Sequence, residues 1–198
     1  MNANEISKPM PKLQDDELKV IIEAARKGKT DAQRTIYSQF YGYGMSISVR
    51  YAENSEEAEE ILNDTFMKVF KNLSKYNPNH SFKSWFRRIL INTAIDYHRK
   101  YQKYRHTLGI SHAYSVSVDT DTIADISAKE ILALVQQLAP SYRMVFNLYV
   151  VEGFKHKEIG AQLGITTATS RATLATARHK LQKMILDNNN YNQRRANG

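Results

Sequence analysis

Apolar residues recur every three or four positions through the first half of the chain, which is the spacing of helices with one buried face. The pattern predicts four helices, bounded by capping residues or by glycine, asparagine and proline. Their predicted bounds are 13–27, 30–51, 56–76 and 82–104. Gly42 and Gly44 weaken the second prediction, because glycine inside a helix costs about 1 kcal/mol relative to alanine. No segment alternates convincingly in the manner of a strand.

The periodicity stops between residues 106 and 122, where serine, threonine and aspartate dominate. Helical spacing resumes near residue 126 and predicts further helices at 126–138, 141–151, 155–163 and 167–186. We therefore expect an all-α protein of two small helical domains joined by a flexible linker. The predicted organisation is a disordered tail at 1–12, a first domain at 13–105, a linker at 106–125, a second domain at 126–187 and a disordered tail at 188–198.

The composition narrows the class of protein. The 198 residues include 28 Lys and Arg against 20 Asp and Glu, a net charge of +8. Cysteine is absent, which excludes disulfides, thiolate metal sites and cysteine nucleophiles. Because neither a signal-peptide core nor an apolar run of membrane length is visible, we expect a cytoplasmic protein with no membrane insertion. A soluble basic protein is expected to bind anions, nucleic acid first.

The charge is unevenly distributed along the chain. Residues 53–64 contain six acidic residues and no basic one, whereas residues 83–106 contain seven basic residues and one acid. A second basic block covers 155–183, and an acidic stretch at 119–130 lies between the two basic blocks. Any one block alone fits a solvated helix face. Two basic blocks on separate domains favour two nucleic-acid contacts.

Residues 155–183 have the form of a helix-turn-helix. Gly164 can supply the positive φ that the tight turn between the two helices needs. In such a motif, the first residues of the second helix lie at base edges in the major groove. Here those residues are Thr167, Thr169, Ser170, Arg171 and Thr173. From local form alone, a helical hairpin that binds no DNA is the alternative.

Aromatic and basic residues are interleaved between residues 76 and 105. Cations that follow a phosphate backbone, together with rings on which bases stack, form a surface for single-stranded nucleic acid. Trp85 fits a core position as well as a stacking position, and the core interpretation is favoured. One face of the predicted helix 82–104 carries polar residues three or four positions apart: Arg88, Asn92, Asp96, Arg99 and Lys103.

Three segments carry a resemblance to a known family: EEAEEILNDTFMKVFKNLSKY at 56–76, FKSWFRRILINTAIDYHRK at 82–100 and LAPSYRMVFNLYVVEGFKHKEIGAQLGIT at 138–166. In this order and at this separation they resemble regions 2 and 4 of bacterial extracytoplasmic-function sigma factors of the sigma-70 family. The resemblance implies a sigma factor that binds core RNA polymerase and directs promoter-specific transcription initiation. Region 2 would melt and capture the −10 element, and region 4 would read the −35 element.

The resemblance also implies three sets of site residues. The set that would bind the clamp helices of the largest polymerase subunit is Glu60, Asn63, Asp64, Met67 and Lys68. The −10 set is Tyr76, Lys83, Trp85, Arg88, Asn92, Asp96, Arg99 and Lys103. The −35 set is Arg143, Lys155, His156, Lys157, Thr167, Thr169, Ser170, Arg171, Thr173 and Arg178. Tyr76 and Asn92 would line a pocket for a flipped base.

Further partners follow from the same resemblance. The polymerase flap would be a second docking point, and an anti-sigma factor is a further candidate partner. We expect a monomer when the protein is free. The linker would thread toward the active-site cleft and the RNA exit channel of the polymerase.

Two other classes of function fit parts of the sequence. A helix-turn-helix repressor that acts without polymerase would normally need a dimer surface and gives the acidic block at 53–64 no role. A small nucleic-acid enzyme is disfavoured, because neither a zinc-protease motif nor a phosphate loop is present. Asp119, Asp121 and Asp125 lack the glycine and terminal glutamate of a calcium loop. We expect no catalytic residue, no metal and no cofactor.

Overall fold

The computed structural model describes residues 14–108 and 128–196. Over those residues it contains eight α-helices and no strand, which confirms the predicted all-α fold class. The helices are α1 (Asp15–Arg26), α2 (Thr30–Ser48), α3 (Ser55–Lys71), α4 (Phe82–Leu108), α5 (Ala128–Gln136), α6 (Pro140–Phe146), α7 (His156–Leu163) and α8 (Thr167–Ala196). A 3₁₀ turn, Leu73–Lys75, follows α3, and a π-helical segment, Asn147–Val151, continues directly from α6.

Spatial contacts divide the chain into two compact units. The first comprises Met1–Val49 and Ser55–Ala94, and the second comprises Arg50–Asn54 and Ile95–Gly198. The division therefore falls inside α4, whereas the loss of periodicity predicts it in the linker at 106–125. Residues 106–108, predicted to begin the linker, form the last turn of α4. The rest of the predicted linker up to 125, and the predicted tail at 1–12, lie outside the described residues.

Aromatic residues from α2, α3 and α4 build the core of the first unit. The fully buried ring of Phe86 lies 5.4 Å from the ring of Phe40 and 5.2 Å from that of Phe66, measured between centroids. A β-carbon at Gly44 would clash with the side chain of Leu62 and press on Phe86. Glycine at this position therefore lets α2 pack closely against α3 and α4, which explains a residue that weakens the helix prediction.

The second unit is held together by an apolar cluster between the α5 region and α8. Its buried members are Leu134, Val135, Leu138, Ala177 and Leu181, flanked by Tyr142, Phe146, Met184 and Ile185. Residues 50–54 belong to this unit through two hydrogen bonds. The amide of the buried Asn147 donates to the carbonyl oxygen of Arg50 (2.6 Å), and the Tyr51 hydroxyl donates to Glu152 (3.2 Å).

The last helix is longer than predicted. The apolar pattern stops near residue 186, but α8 continues to Ala196. The prediction of a disordered tail is therefore wrong for residues 188–196. Extension of an existing helix needs no apolar stripe, because each added residue contributes one backbone hydrogen bond without a new nucleation step.

Candidate nucleic-acid interface

The exposed face of α3 carries the residues predicted to bind polymerase. They lie on one face because they are three or four positions apart: Glu60, Asn63, Asp64, Met67 and Lys68. The opposite face packs into the first unit through Ile61, Leu62 and Phe66. Lys68 is half-buried, and the other four are exposed. Met67 has 72% of its surface in solvent, so a large apolar side chain is exposed on this face.

Tyr76 shapes the loop that precedes α4. Only 6% of its surface is exposed, and its hydroxyl donates to the carbonyl oxygen of His80. The ring packs edge-on against Phe82, with centroids 5.3 Å apart, and the Tyr76 carbonyl accepts a hydrogen bond from Arg26 (2.8 Å). Core residues surround its ring, and a contact of Tyr76 with DNA stays a prediction. The hydrogen bond to His80 ties the Tyr76 side chain to the far end of the loop at 77–80.

Trp85 lies beside the same loop. Its ring is half-buried, 5.2 Å from the Tyr76 ring and 5.6 Å from the Phe82 ring. This packing supports the core interpretation of Trp85. Ser81 caps the N-terminus of α4, because its hydroxyl accepts a hydrogen bond from the Ser84 amide (3.4 Å).

The remaining −10 residues follow the exposed side of α4. Arg88, Asn92, Asp96 and Arg99 are all exposed, at the spacing that places them along one helix face. Lys83 is exposed near the helix start. The side chain of Lys103 lies outside the described residues.

Two further residues, Tyr43 and Arg87, contact Lys83 or extend its surface, and neither belongs to a site predicted from the sequence. The ammonium of Lys83 lies 4.5 Å from the centroid of the Tyr43 ring, and Arg87 donates to the Tyr43 hydroxyl (3.4 Å). Tyr43 belongs to α2, forty residues earlier in the chain, so no spacing rule connects it to α4. The four-residue separation of Lys83 and Arg87 is the only sequence signal that pairs them.

The helix-turn-helix is built by α7, a tight turn and α8. Gly164 has φ of +70°, which confirms the predicted positive φ. A β-carbon at Gly160 would meet the carbonyl oxygen of Ile165, so this glycine lets the turn fold back onto α7. The Thr166 hydroxyl caps the N-terminus of α8, because it accepts a hydrogen bond from the Thr169 amide (3.0 Å).

The residues of the −35 set differ in their accessibility. Five are exposed: Lys155, Lys157, Thr169, Arg171 and Arg178. Three are half-buried: His156, Thr167 and Thr173. Two are buried, and a direct DNA contact by either stays a prediction: Arg143 and Ser170. Thr176 is exposed on α8 one turn after Ala172 and is absent from the predicted set.

Ser170 and Arg143 are buried for structural reasons. Ser170 has no exposed surface, and its hydroxyl lies 3.0 Å from His156 Nδ1. Arg143 is 2% exposed, and its guanidinium donates to the carbonyl oxygen of Gln136 (3.0 Å). Both therefore stabilise the second unit from inside.

His156 is fixed from two sides. Its ring stacks on Tyr149, with centroids 4.4 Å apart and planes 22° apart, while Nδ1 faces Ser170. Arg178 lies over the same Tyr149 ring, 5.7 Å from its centroid. Partial burial and the charges of Arg171 and Arg178 lower the pKa of His156, which favours the neutral imidazole.

A second histidine is also held neutral. Burial, and then the charge of Arg143, lower the pKa of His98 to about 4. No group of three or more His, Asp or Glu suited to a metal occurs within residues 14–108 and 128–196. The three aspartates weighed as a weak calcium site lie outside those ranges. None of the described helices has the length and hydropathy to cross a bilayer.

Comparison with known proteins matches both halves of the chain to one family. Residues 36–104 match the Sigma-70 region 2 model, and residues 128–181 match the Sigma-70 region 4 model. The chain is 28% identical to RNA polymerase sigma factor CarQ of Myxococcus xanthus, over 83% of this chain and 95% of CarQ. It is 25% identical to the ECF RNA polymerase sigma factor SigW of Bacillus subtilis, over 86% of this chain and 97% of SigW.

Two solved structures of low similarity are complexes of one protein with another. CnrH in complex with the cytosolic domain of CnrY is 20% identical, with a TM-score of 0.44, over 87% of this chain and 97% of that one. RpoE in complex with the anti-sigma factor NepR, from Bartonella quintana, is 19% identical, with a TM-score of 0.46, over 86% and 94%.

Proposed function

The chain belongs to the sigma-70 family as an extracytoplasmic-function sigma factor that directs RNA polymerase to promoters, and we propose that three surfaces divide this work. The observation that carries the assignment is the order of the two family matches along one chain. Region 2 corresponds to the proposed first domain, 13–105, and region 4 to the proposed second domain, 126–187. As a transcription initiation factor the protein acts where the polymerase acts, so we propose a cytoplasmic location.

The first surface is the exposed face of α3, which we propose binds the clamp helices of the largest polymerase subunit. Glu60 and Asp64 supply negative charge, and Met67, about one turn beyond Asp64, supplies an exposed apolar anchor. Charge complementarity steers association and selects the partner, while burial of the apolar anchor lowers the free energy of the complex. A repressor acting alone would leave this face without a partner.

The second surface captures the unpaired −10 strand along α4. Exposed Arg88 and Arg99 can bind phosphates, and the amide of Asn92 can bond a base edge. Phosphate contacts position the strand without specifying its sequence, so base discrimination rests on Asn92 and on the loop at 77–80. Tyr76 donates a hydrogen bond to His80 of this loop, and Trp85 packs against the Tyr76 ring.

The third surface reads the −35 duplex with the N-terminal half of α8. Arg171 and Thr169 are exposed on the recognition helix, and Lys155 and Lys157 are exposed around the start of α7. A helix-turn-helix places its second helix in the major groove while the first helix crosses the backbone. Arg171 is therefore proposed as the base or phosphate contact, and the two lysines as phosphate contacts.

Run-off transcription tests this function. The full chain is added to bacterial core RNA polymerase with a library of promoter fragments, and transcripts are expected only from fragments that share −10 and −35 elements. Arg171→Ala is expected to weaken use of promoters that depend on the −35 element. Transcript levels that do not change when the protein is added would contradict the proposal. An anti-sigma partner and the flap contact stay predictions.

A further inference from the structure

Tyr43 of α2 holds two cations of α4 in a fixed arrangement. The Lys83 ammonium lies over the face of its ring, 4.5 Å from the centroid, and the Arg87 guanidinium donates to its hydroxyl at 3.4 Å. Long basic side chains ordinarily sample many rotamers, and a contact that selects one rotamer lowers the entropy lost on binding a ligand. One tyrosine therefore preorganises an ammonium and a guanidinium on the same helix face.

This arrangement has the chemistry of a phosphate site. Among the described residues, no carboxylate lies within ion-pair distance of Lys83. The cation–π contact leaves the ammonium charged and exposed. A planar guanidinium beside an ammonium supplies hydrogen-bond donors to the oxygens of one phosphate.

We propose that Lys83 and Arg87, positioned by Tyr43, bind a backbone phosphate of the unpaired promoter strand. This inference rests on the proposed function, because the strand is the one assigned to Arg88 and Asn92. Arg87 and Arg88 are neighbours, about 100° apart around α4, while Lys83 and Asn92 lie on opposite sides of the helix. The strand would pass around the first turns of α4, over about 14 Å of its axis.

The path selects a single strand over a duplex. Single-stranded DNA can bend around a helix of roughly 10 Å diameter, and its phosphates can meet successive faces. A duplex is stiff over this length and would contact one side of α4 only. The phosphate site formed by Tyr43, Lys83 and Arg87 is therefore expected to act after the −10 element opens.

Salt dependence measures the contact directly. The full chain is bound to core polymerase, and the complex is titrated with a forked promoter whose −10 non-template strand is unpaired. Lys83→Gln and Arg87→Gln are each expected to lower the slope of log affinity against log salt by about 0.7, with base preference unchanged. Lys27→Gln removes an exposed charge after α1 and is expected to leave the slope unaltered.

Neutral linkages locate the phosphate and separate positioning from folding. Phosphates of the unpaired strand are replaced one at a time by methylphosphonate. At one linkage the unsubstituted protein is expected to lose affinity while Arg87→Gln loses nothing further. Tyr43→Phe keeps the ring and removes the hydroxyl. On the ordinary strand this variant is expected to bind more weakly than the unsubstituted protein. On the strand that carries the neutral linkage at that one position, the difference between the two proteins is expected to vanish. A merely structural role for Tyr43 would lower affinity at every linkage.

Polymerase binding is recorded in the same samples. If the complex forms but no linkage shows the coupling, the proposed phosphate site of Tyr43, Lys83 and Arg87 is wrong while the proposed function stands. If the salt slope falls equally on a closed duplex carrying only the −35 element, the assignment to the unpaired strand is wrong. If no complex with polymerase forms, the proposed function itself fails.

Discussion

His156 Nδ1 lies 3.0 Å from the hydroxyl of Ser170, which joins the first residue of α7 to a fully buried side chain of α8. Tyr149 stacks on the same imidazole, so the ring is held between the π-helical segment and the recognition helix. A buried hydroxyl without a partner would destabilise the fold. The contact therefore couples the geometry of the helix-turn-helix to a polar pair in its interior.

Removal of this pair should destabilise the second unit. Ser170→Ala deletes the hydrogen bond, and we expect the free energy of unfolding to fall by about 1 kcal/mol, as measured by urea denaturation. Thr176→Ala, on the exposed face of the same helix, is the control and should change stability by less than about 0.5 kcal/mol. Equal stability of Ser170→Ala and the parent protein would show that the contact contributes nothing.

Acidification should weaken the fold through His98. The pKa of His98 is lowered from 6.5 to about 4, so the unfolded chain binds a proton between those values that the folded chain excludes. Stability is therefore highest above pH 6.5 and falls toward pH 4, by at most about 1.4 kcal/mol per pH unit. Urea unfolding across this range measures the slope.

A pair of variants isolates that contribution. His98→Gln should flatten the dependence on pH, whereas His179→Gln, exposed on α8, should leave it intact. Some slope should persist in His98→Gln, because His156 also has a lowered pKa and because carboxylates titrate at the acid end. An undiminished slope in His98→Gln would mean that His98 is not held neutral in the folded protein.

Two glycines of α2 should respond to alanine in opposite ways. At Gly44 a β-carbon would clash with Leu62, so Gly44→Ala should destabilise the first unit by about 1–3 kcal/mol. At Gly42 there is open space around the β-carbon position, so Gly42→Ala should stabilise the helix by up to about 1 kcal/mol. Thermal unfolding of both variants checks the contrast. Stabilisation by both substitutions would contradict the close packing of α2.

Sequence periodicity and the position of one glycine were sufficient to predict the helical fold and the turn at Gly164. Each depends on local spacing or on a single backbone requirement. Gly44 shows the limit of such local reasoning. Its apparent weakness in a helix is a requirement of close packing against Leu62, which depends on tertiary structure.

The buried polar residues show what spacing cannot provide. Tyr76, Arg143 and Ser170 fit an expected DNA-binding pattern, yet each is buried and hydrogen-bonded inside its own unit. Sequence alone suggests that a hydroxyl or a guanidinium is exposed, and only the packing partners reveal that it is hydrogen-bonded inside the fold. The pairing of Tyr43 with Lys83 was missed for the same reason.

Base discrimination at the −10 element should depend on Asn92. Asn92→Ala removes the exposed amide from α4, and we expect discrimination at one −10 base to fall by about 1–3 kcal/mol. Competition between forked promoters that differ at single bases measures this. Arg88→Gln should instead weaken every sequence to the same extent, because phosphate contacts carry no base information. Unchanged preferences in Asn92→Ala would place base recognition elsewhere.

The exposed side chain of Met67 allows a matched test of polymerase docking. Met67→Asp replaces the exposed apolar side chain of the α3 face by a charge and should weaken binding to core RNA polymerase at least tenfold, an energy of about 1.4 kcal/mol. Val20→Asp makes the same kind of change at an equally exposed apolar residue of α1 and should leave binding intact. Equal losses in both variants would argue against α3 as the docking face.

Co-elution with purified bacterial core RNA polymerase tests the central claim most directly. The full chain should elute with core polymerase as a stable complex during size-exclusion chromatography, and Met67→Asp should shift the chain toward its free position. No other function considered for this sequence requires that complex. Elution of the unsubstituted chain entirely separate from core polymerase would contradict its action as a sigma factor.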